Sequence, residues 1–196
     1  HQIRKALPRR APDSHKGSFG HVYVVAGSGG KSGAALMTGM AALSSGAGLV
    51  TLWLPKSLQR SVVGKFPELM TEFLPETEDQ TSDRSGAERL LALLPQVEAM
   101  VLGPGMTVHP STRKLIWELV RRSPVPVVLD ADGINAFVPP AAPLRNEAGM
   151  PIVITPHPGE MARLMGKKIP DVQKNRLDTA AQCAVRHRCH VVLKGF

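Results

Sequence analysis

The sequence predicts an α/β fold of three layers, α/β/α, with a mostly parallel central sheet. Three observations predict it. Short apolar runs recur along the chain, helical patterns lie between most of them, and glycine or proline turns follow several runs where a strand would end.

The strand-like runs fall at 22–26, 49–54, 69–74, 100–102, 125–129, 152–154 and 191–193. They are mostly Val, Leu and Ile, as in strands buried on both faces. Helical patterns fall at 34–43, 57–63, 87–94, 112–122, 160–165 and 172–186. The acidic, polar stretch 75–86 reads as an exposed loop and 139–149 as a second loop. Neither is long enough to divide the chain, so a single domain is expected at 12–196, with 1–11 as a linker or tail. The sequence opens without Met and closes on a strand-like run, which a doubly wound sheet rarely leaves uncovered. The domain is therefore expected to lack its C-terminal part.

Composition fits such a domain. Of 196 residues, 43% are hydrophobic and 20% charged, so a sizeable core is available. Aromatics make up only 4%, which leaves the core to Val, Leu, Ala and Met. No apolar run approaches the ~18 residues that span a bilayer, so no membrane partner is expected. The net charge of +8 gathers in Arg4, Lys5, Arg9 and Arg10, in Arg121 and Arg122, and in Arg186 and Arg188. No zinc finger, RNA-recognition signature or aromatic stacking set accompanies these cations. An anionic small molecule, not nucleic acid, is the expected partner. Cys183 and Cys189 match no zinc or redox spacing and read as small core hydrophobes in a reducing, cytoplasmic compartment.

Five segments could carry chemistry. In 154–160 a strand turns through Pro156 and Pro158 into a helix, which brings His157 and Glu160 to the place where open α/β sheets bind ligands. The same residues also suit a plain turn with Glu160 as a helix cap. The glycine-rich stretch 24–35 fails as a P-loop, because Val25 stands where glycine is required ahead of Lys31. It fails the dinucleotide fingerprint at Ser32. It either admits a ligand to a helix N-terminus or lets helix and sheet pack closely through Gly33, Ala34, Gly39 and Ala42. The turn Gly103-Pro104-Gly105 leaves room for a flat ligand or is merely tight. Asp130 and Asp132 share a face of an extended segment and could meet one cation, although Asp132 also suits a helix cap. Lys194, beside Gly195 at a strand end, could meet a phosphate.

Taken in order, these segments resemble the NAD(P)H-hydrate dehydratases of the ribokinase-like superfamily. The resemblance rests on Lys16-Gly17, Phe19-Gly20, Ala26-Gly27-Ser28, Gly33-Ala34-Ala35, the run 45–51, Gly103-Pro104-Gly105, 130–133 with Asn135, 155–161 and Leu193-Lys194-Gly195. It implies repair of hydrated nicotinamide cofactors. ADP or ATP phosphorylates the ring hydroxyl of (6S)-NAD(P)H-hydrate, and phosphate then leaves to restore NADH or NADPH. The resemblance implies substrate contacts at Ala34, Gly105, His157, Asp130 and Asn135, nucleotide contacts at Lys194 and Gly195, and magnesium organised by Glu160, with His157 where the superfamily has Asn. It also implies a homo-oligomer and an epimerase, fused or separate; 3–10 resembles the linker that follows an epimerase domain. The family's Gly-x-Gly-Asp segment does not occur within 1–196, and its catalytic aspartate is expected beyond Phe196. No catalytic base is therefore expected in this chain, and the chain alone is expected to be inactive. Two alternatives stay open: a sugar or vitamin kinase of the same superfamily, and a non-catalytic nucleotide-binding fragment.

Overall fold

The structure, a computed structural model, describes residues 11–138 and 143–195. The tail expected at 1–11 lies almost wholly outside the described residues, as does part of the loop at 139–149. Phe196, beyond which the catalytic aspartate is expected, also lies outside them. Seven strands form one sheet: β1 (His21–Val25), β2 (Leu49–Pro55), β3 (Met70–Leu74), β4 (Ala99–Leu102), β5 (Val127–Leu129), β6 (Ile152–Ile154) and β7 (His190–Val191). Their order is β3-β2-β1-β4-β5-β6-β7 and every pair is parallel.

Helices cover both faces: α1 (Ser32–Ser44), α2 (Gln59–Val62), α3 (Ala87–Leu93), α4 (Pro110–Arg122), α5 (Asp132–Asn135), α6 (Pro158–Met165), α7 (Ile169–Lys174) and α8 (Arg176–His187). The layering follows from the strand period of two. Tyr23 and Val25 of β1 join a large apolar cluster with Leu90 of α3, Leu115 of α4 and Met161 of α6. Val24 joins a smaller cluster on the other face with Ala35 of α1 and Val62 of α2. Close packing of α1 on the sheet runs through Gly39, where a methyl group would sit 2.7 Å from Leu52 Cδ2. Gly33 takes no part in that packing: a methyl there would meet nothing within 4 Å.

Two expected features are corrected. The stretch 75–86 is an exposed loop only in part: Glu78, Asp79, Gln80, Arg84 and Ser85 are exposed, but its middle is not. Thr81 and Ser82 are buried, Glu76 and Ser82 form an antiparallel bridge, and the Thr112 hydroxyl donates to the Ser82 carbonyl at 2.8 Å. Asp83 accepts from the Ser111 hydroxyl and the Ser85 amide, which hold its carboxyl down to about 2. The segment's polar residues divide: Thr81 and Asp83 bond to Thr77 and to α4, whereas Glu78, Asp79 and Gln80 face water. The helix expected at 172–186 is two helices, α7 and α8, broken at Asn175 with φ −128° and ψ 52°. An asparagine offers its own side chain to nearby carbonyls and weakens helix continuity there; its Nδ2 donates to the Asp171 carbonyl at 3.4 Å.

The strand order sets the position of the site. The chain runs outward from β1 to β3, returns to β4 on the other side of β1, and then runs outward to β7. Order reverses between β1 and β4, and crevices at such reversals, beyond the strand C-termini, are where open sheets take ligands.

Candidate functional site

Every strand is parallel, so all strand C-termini face one edge, and the turns singled out in the sequence meet there. Following the strand order, they come from β1, β4, β5, β6 and β7. At a spacing of roughly 4.8 Å per strand, the line from the β1 turn to the β7 turn is about 19 Å long.

The turn after β1 is not an open phosphate cradle. Gly27 N donates to Pro104 O at 2.8 Å, Gly29 N to Gln80 O at 2.9 Å and Lys31 N to Ser28 O at 2.8 Å. The buried Ser28 hydroxyl donates to Gly105 O at 2.7 Å. These bonds tie the β1 turn to the β4 turn and bring Gly105 against α1. A methyl group on Gly105 would lie 2.9 Å from Ala34 Cβ. Ala34 and Gly105, far apart in sequence, thus form one small-residue contact at the reversal point.

At the end of β5 the two aspartates diverge. Asp130 Oδ1 lies 2.5 Å from Lys194 Nζ. Asp132 Oδ2 accepts from Thr107 N at 2.9 Å, and Asn135 Nδ2 donates to Asp132 Oδ1 at 3.3 Å. The two carboxylates therefore do not share one cation. Nor does Asp132 cap the helix: Ala131 holds the cap position, at φ 50° and ψ −117°, and Asp132 is the first helical residue. Positive φ at a residue with a Cβ is strained and clusters at functional sites. Asn135 is also engaged, its Oδ1 accepting from Arg163 Nε and Nη2 at 3.1 and 3.0 Å.

After β6, His157 and Glu160 form a reciprocal cap on α6. His157 Nδ1 accepts from Gly159 N at 3.0 Å and Glu160 N at 3.3 Å, while His157 N donates to Glu160 Oε2 at 2.8 Å. An acceptor Nδ1 places the proton of the neutral imidazole on Nε2, which lies 3.4 Å from Glu160 Oε1. The Glu160 side chain is 5% exposed and that of His157 51%. The capping role and the site position coincide in the same two residues.

Beyond β7, Lys194 N donates to Pro156 O at 2.8 Å, which ties this turn to that of β6. Lys194 is exposed, yet both its amide and its ammonium are engaged. Arg163 and Arg176 join the site without having been singled out in the sequence. Their partners, Asn135 and the backbone at 193–195, are remote in sequence, and no spacing signals them.

The sequence resemblance assigns magnesium to Glu160. Among the described residues, no group of three or more His, Cys, Asp or Glu side chains could hold a metal ion. One buried carboxylate, half committed to a cap, does not make a protein-only cage. It does fit a magnesium ion that brings its own phosphate oxygens and waters. A cavity of about 520 Å³ lies elsewhere, over α4, lined by Lys114, Trp117 and Arg145 among others. It contains none of the residues at the sheet edge, and we assign the site by the convergence of turns instead.

The family model for NAD(P)H-hydrate dehydratase matches residues 22–196. The chain belongs to that family. This dehydratase domain is 42% identical over 192 residues to the bifunctional NAD(P)H-hydrate repair enzyme Nnr of Moorella thermoacetica, covering 98% of the chain and 36% of that protein. It is 31% identical to the ADP-dependent (S)-NAD(P)H-hydrate dehydratase of Bacillus subtilis, covering 98% of the chain and 64% of the relative. A crystal structure of the B. subtilis ADP/ATP-dependent enzyme, co-crystallised with ATP and Mg2+, superposes with a TM-score of 0.79 at 30% identity, again over 98% and 64% of the two chains. A ribokinase-like superfamily protein from Enterococcus faecalis, 22% identical with a TM-score of 0.76, covers 95% of the chain and 61% of its own and shares the fold. The dehydratase domain thus spans about a third of the bifunctional enzyme and under two thirds of the single-function one.

Proposed function

We propose that the protein containing this chain restores NADH or NADPH from the (6S)-hydrate with ADP or ATP as phosphoryl donor. The ring hydroxyl gives its proton to a base as its oxygen attacks the terminal phosphorus and AMP or ADP leaves; the C–O bond of the new phosphate ester then breaks to release inorganic phosphate, and the adjacent ring carbon loses a proton as the ring double bond forms. The observation that carries this reading is the family match over 22–196, combined with the gathering of Ala34, Gly105, Asp130, His157, Glu160 and Lys194 along one sheet edge. A sugar or vitamin kinase is not favoured, because the named relatives are hydrate-repair enzymes.

In this reading the small residues Ala34 and Gly105 let the flat nicotinamide ring approach the backbone. The half-exposed imidazole of His157, held rigid by two amides, presents Nε2–H to the dinucleotide. Lys194 exchanges Asp130 for a nucleotide phosphate, beside Gly195. Asp130, released by Lys194, and Asn135, held by Arg163, line the substrate side. Glu160 would help hold a magnesium ion, which would supply positive charge against the phosphates. The catalytic aspartate that the resemblance implies is not assigned to any residue of 1–196. A fused epimerase is supported by the bifunctional relatives. A cytoplasmic setting is supported by two free, buried thiols, Cys183 and Cys189. A homo-oligomer completes the proposal.

The test uses the protein that contains the chain, given NADH-hydrate with and without ADP or ATP. NADH should appear only with the nucleotide; no NADH in its presence would overturn the reading. His157 gives a finer prediction. His157→Ala loses both an imidazole donor and a helix cap, the cap being worth about 1 kcal/mol, whereas His157→Asn keeps a capping side chain. Both variants should bind NADPH-hydrate more weakly by about 1.5–3 kcal/mol in calorimetry, the worth of one bond to a charged group. ADP affinity should change much less, and only the Ala variant should melt earlier. Equal losses for the two ligands would remove His157 from the dinucleotide site.

A further inference from the structure

We propose that Arg176 is the residue that orients the turn after β7 for anion binding, a role that rests on the assignment of Lys194 and Gly195 to the nucleotide. Arg176 opens α8, and its Nη2 lies 3.0, 3.1 and 3.2 Å from the carbonyl oxygens of Leu193, Lys194 and Gly195. Its Nη1 donates to Gln173 Oε1 at 2.8 Å, which fixes the guanidinium from the α7 side.

Three successive carbonyls pointing to one place would repel one another without a cation between them. A planar guanidinium, always charged and forked, is the side chain suited to collecting them. The consequence lies on the other side of the turn. In a trans peptide unit the N–H points opposite to the carbonyl it is joined to. With the Leu193 carbonyl on Arg176, the Lys194 N–H faces away and takes Pro156 O. With the Lys194 carbonyl on Arg176, the Gly195 N–H faces away too, and it meets no acceptor among the described residues. Gly195 sits at φ +103°, a conformation that glycine adopts without penalty and other residues rarely reach. The exposed turn therefore presents an amide that has no acceptor among the described residues and, one residue earlier, the ammonium that pairs with Asp130. Such an arrangement of backbone N–H and cation is suited to a phosphate.

Arg176 touches none of the reacting groups in this arrangement. It acts through the turn, which makes it a positioning residue. Gln173 supports it in turn, so a loss at Gln173 should reproduce the defect in weaker form.

The experiment is calorimetry of Mg–ADP and of NADPH on the protein containing the chain, as wild type and as Arg176→Ala, Arg176→Lys and Gln173→Ala, with melting temperatures beside it. Arg176→Ala should weaken ADP roughly tenfold or more, the scale of one lost charge-assisted bond. NADPH affinity should hold within about twofold. Arg176→Lys, a point charge without the fork, should recover part of the loss, and Gln173→Ala should lose less than Arg176→Ala. If Arg176→Ala fails to fold, Arg176→Lys and Gln173→Ala carry the same comparison. Equal ADP affinity in the wild type and the variants, or parallel losses for ADP and NADPH, would overturn the proposal while leaving the repair function intact. Absence of ADP binding in the wild type would instead overturn the nucleotide assignment, and the role of Arg176 with it.

Discussion

Given NADH-hydrate, ADP or ATP and magnesium, residues 1–196 alone are expected to work at no more than about 10⁻⁴ of the rate of a complete relative. Transfer to the ring hydroxyl needs a base to take its proton, which the family resemblance places in a Gly-x-Gly-Asp segment not found within 1–196; of the carboxylates at the sheet edge, only Asp130 would be freed, when Lys194 turns to a phosphate. Asp130 is paired with Lys194, Asp132 accepts from Thr107 N and Asn135, and Glu160 is buried in the cap of α6. A missing general base typically costs about 10²–10⁴ in rate, and the loss of one amide donor to the transferred phosphoryl group, a role the resemblance implies for the backbone of the same Gly-x-Gly-Asp segment, about 10²–10³. Even the smaller figures multiply to about 10⁴. A typical turnover of about 10 per second would fall to about one in a thousand seconds. The measurement is the rise of NADH absorbance, beside the B. subtilis enzyme as reference. A rate near the reference would mean that one of these carboxylates, and not an aspartate beyond Phe196, is the base. Asp130→Asn, Asp132→Asn and Glu160→Gln would then say which.

Gly103→Ala should be among the most damaging single methyl additions in the chain. Gly103 has φ +124°, and a Cβ there would stand 2.2 Å from Asp130 O and 2.4 Å from Gly133 N. Both obstacles are backbone, so no side chain can swing aside. Strain at such a φ costs about 1–3 kcal/mol and overpacking about 1–3 kcal/mol more. At roughly 2–4 °C per kcal/mol for a chain of this size, melting should fall by roughly 5–20 °C. Gly30→Ala is the control, since it shares a positive φ (+74°) but meets nothing within 4 Å. Similar melting of the two variants would show that the β4 and β5 turns are not packed backbone to backbone as described.

Much of this was legible in the sequence, for identifiable reasons. The inner strands could be read because parallel strands buried on both faces are written as near-continuous apolar runs, as in Leu49–Pro55; the edge strands, Met70–Leu74 and His190–Val191, are less buried and overlap shorter or more mixed runs. The order of those strands could not be read, since pairing partners such as Val22 and Ala99 carry no mark of each other. Polarity misled at Thr81 and Ser82, which are as deeply buried as leucines; the Thr112 hydroxyl bonds to the Thr81 hydroxyl and to the Ser82 carbonyl. Local chemistry was visible at His157 and Glu160 because a capping box lies within four residues. It was invisible at Arg163 and Arg176, whose acceptors come from other elements. Asp130 looked unpaired until folding brought it Lys194.

The reversal of strand order at β1 also sets a sequence of events in time. β2 begins at Leu49 and β4 only at Ala99, so closing the chain from β1 onto β4 spans a segment roughly three times longer than closing it onto β2, an added entropic cost of about 1 kcal/mol. During refolding, the Ala26 amide, bonded to Trp53 O across the β1–β2 side, should gain protection in pulsed hydrogen exchange before the Gly103 amide, bonded to Val25 O across the β1–β4 side. Simultaneous protection would instead put β4 in the folding nucleus. If the order holds, the crevice that holds Ala34 and Gly105 closes late. A ligand settling there then engages a contact that the chain completes only near the end of its folding path.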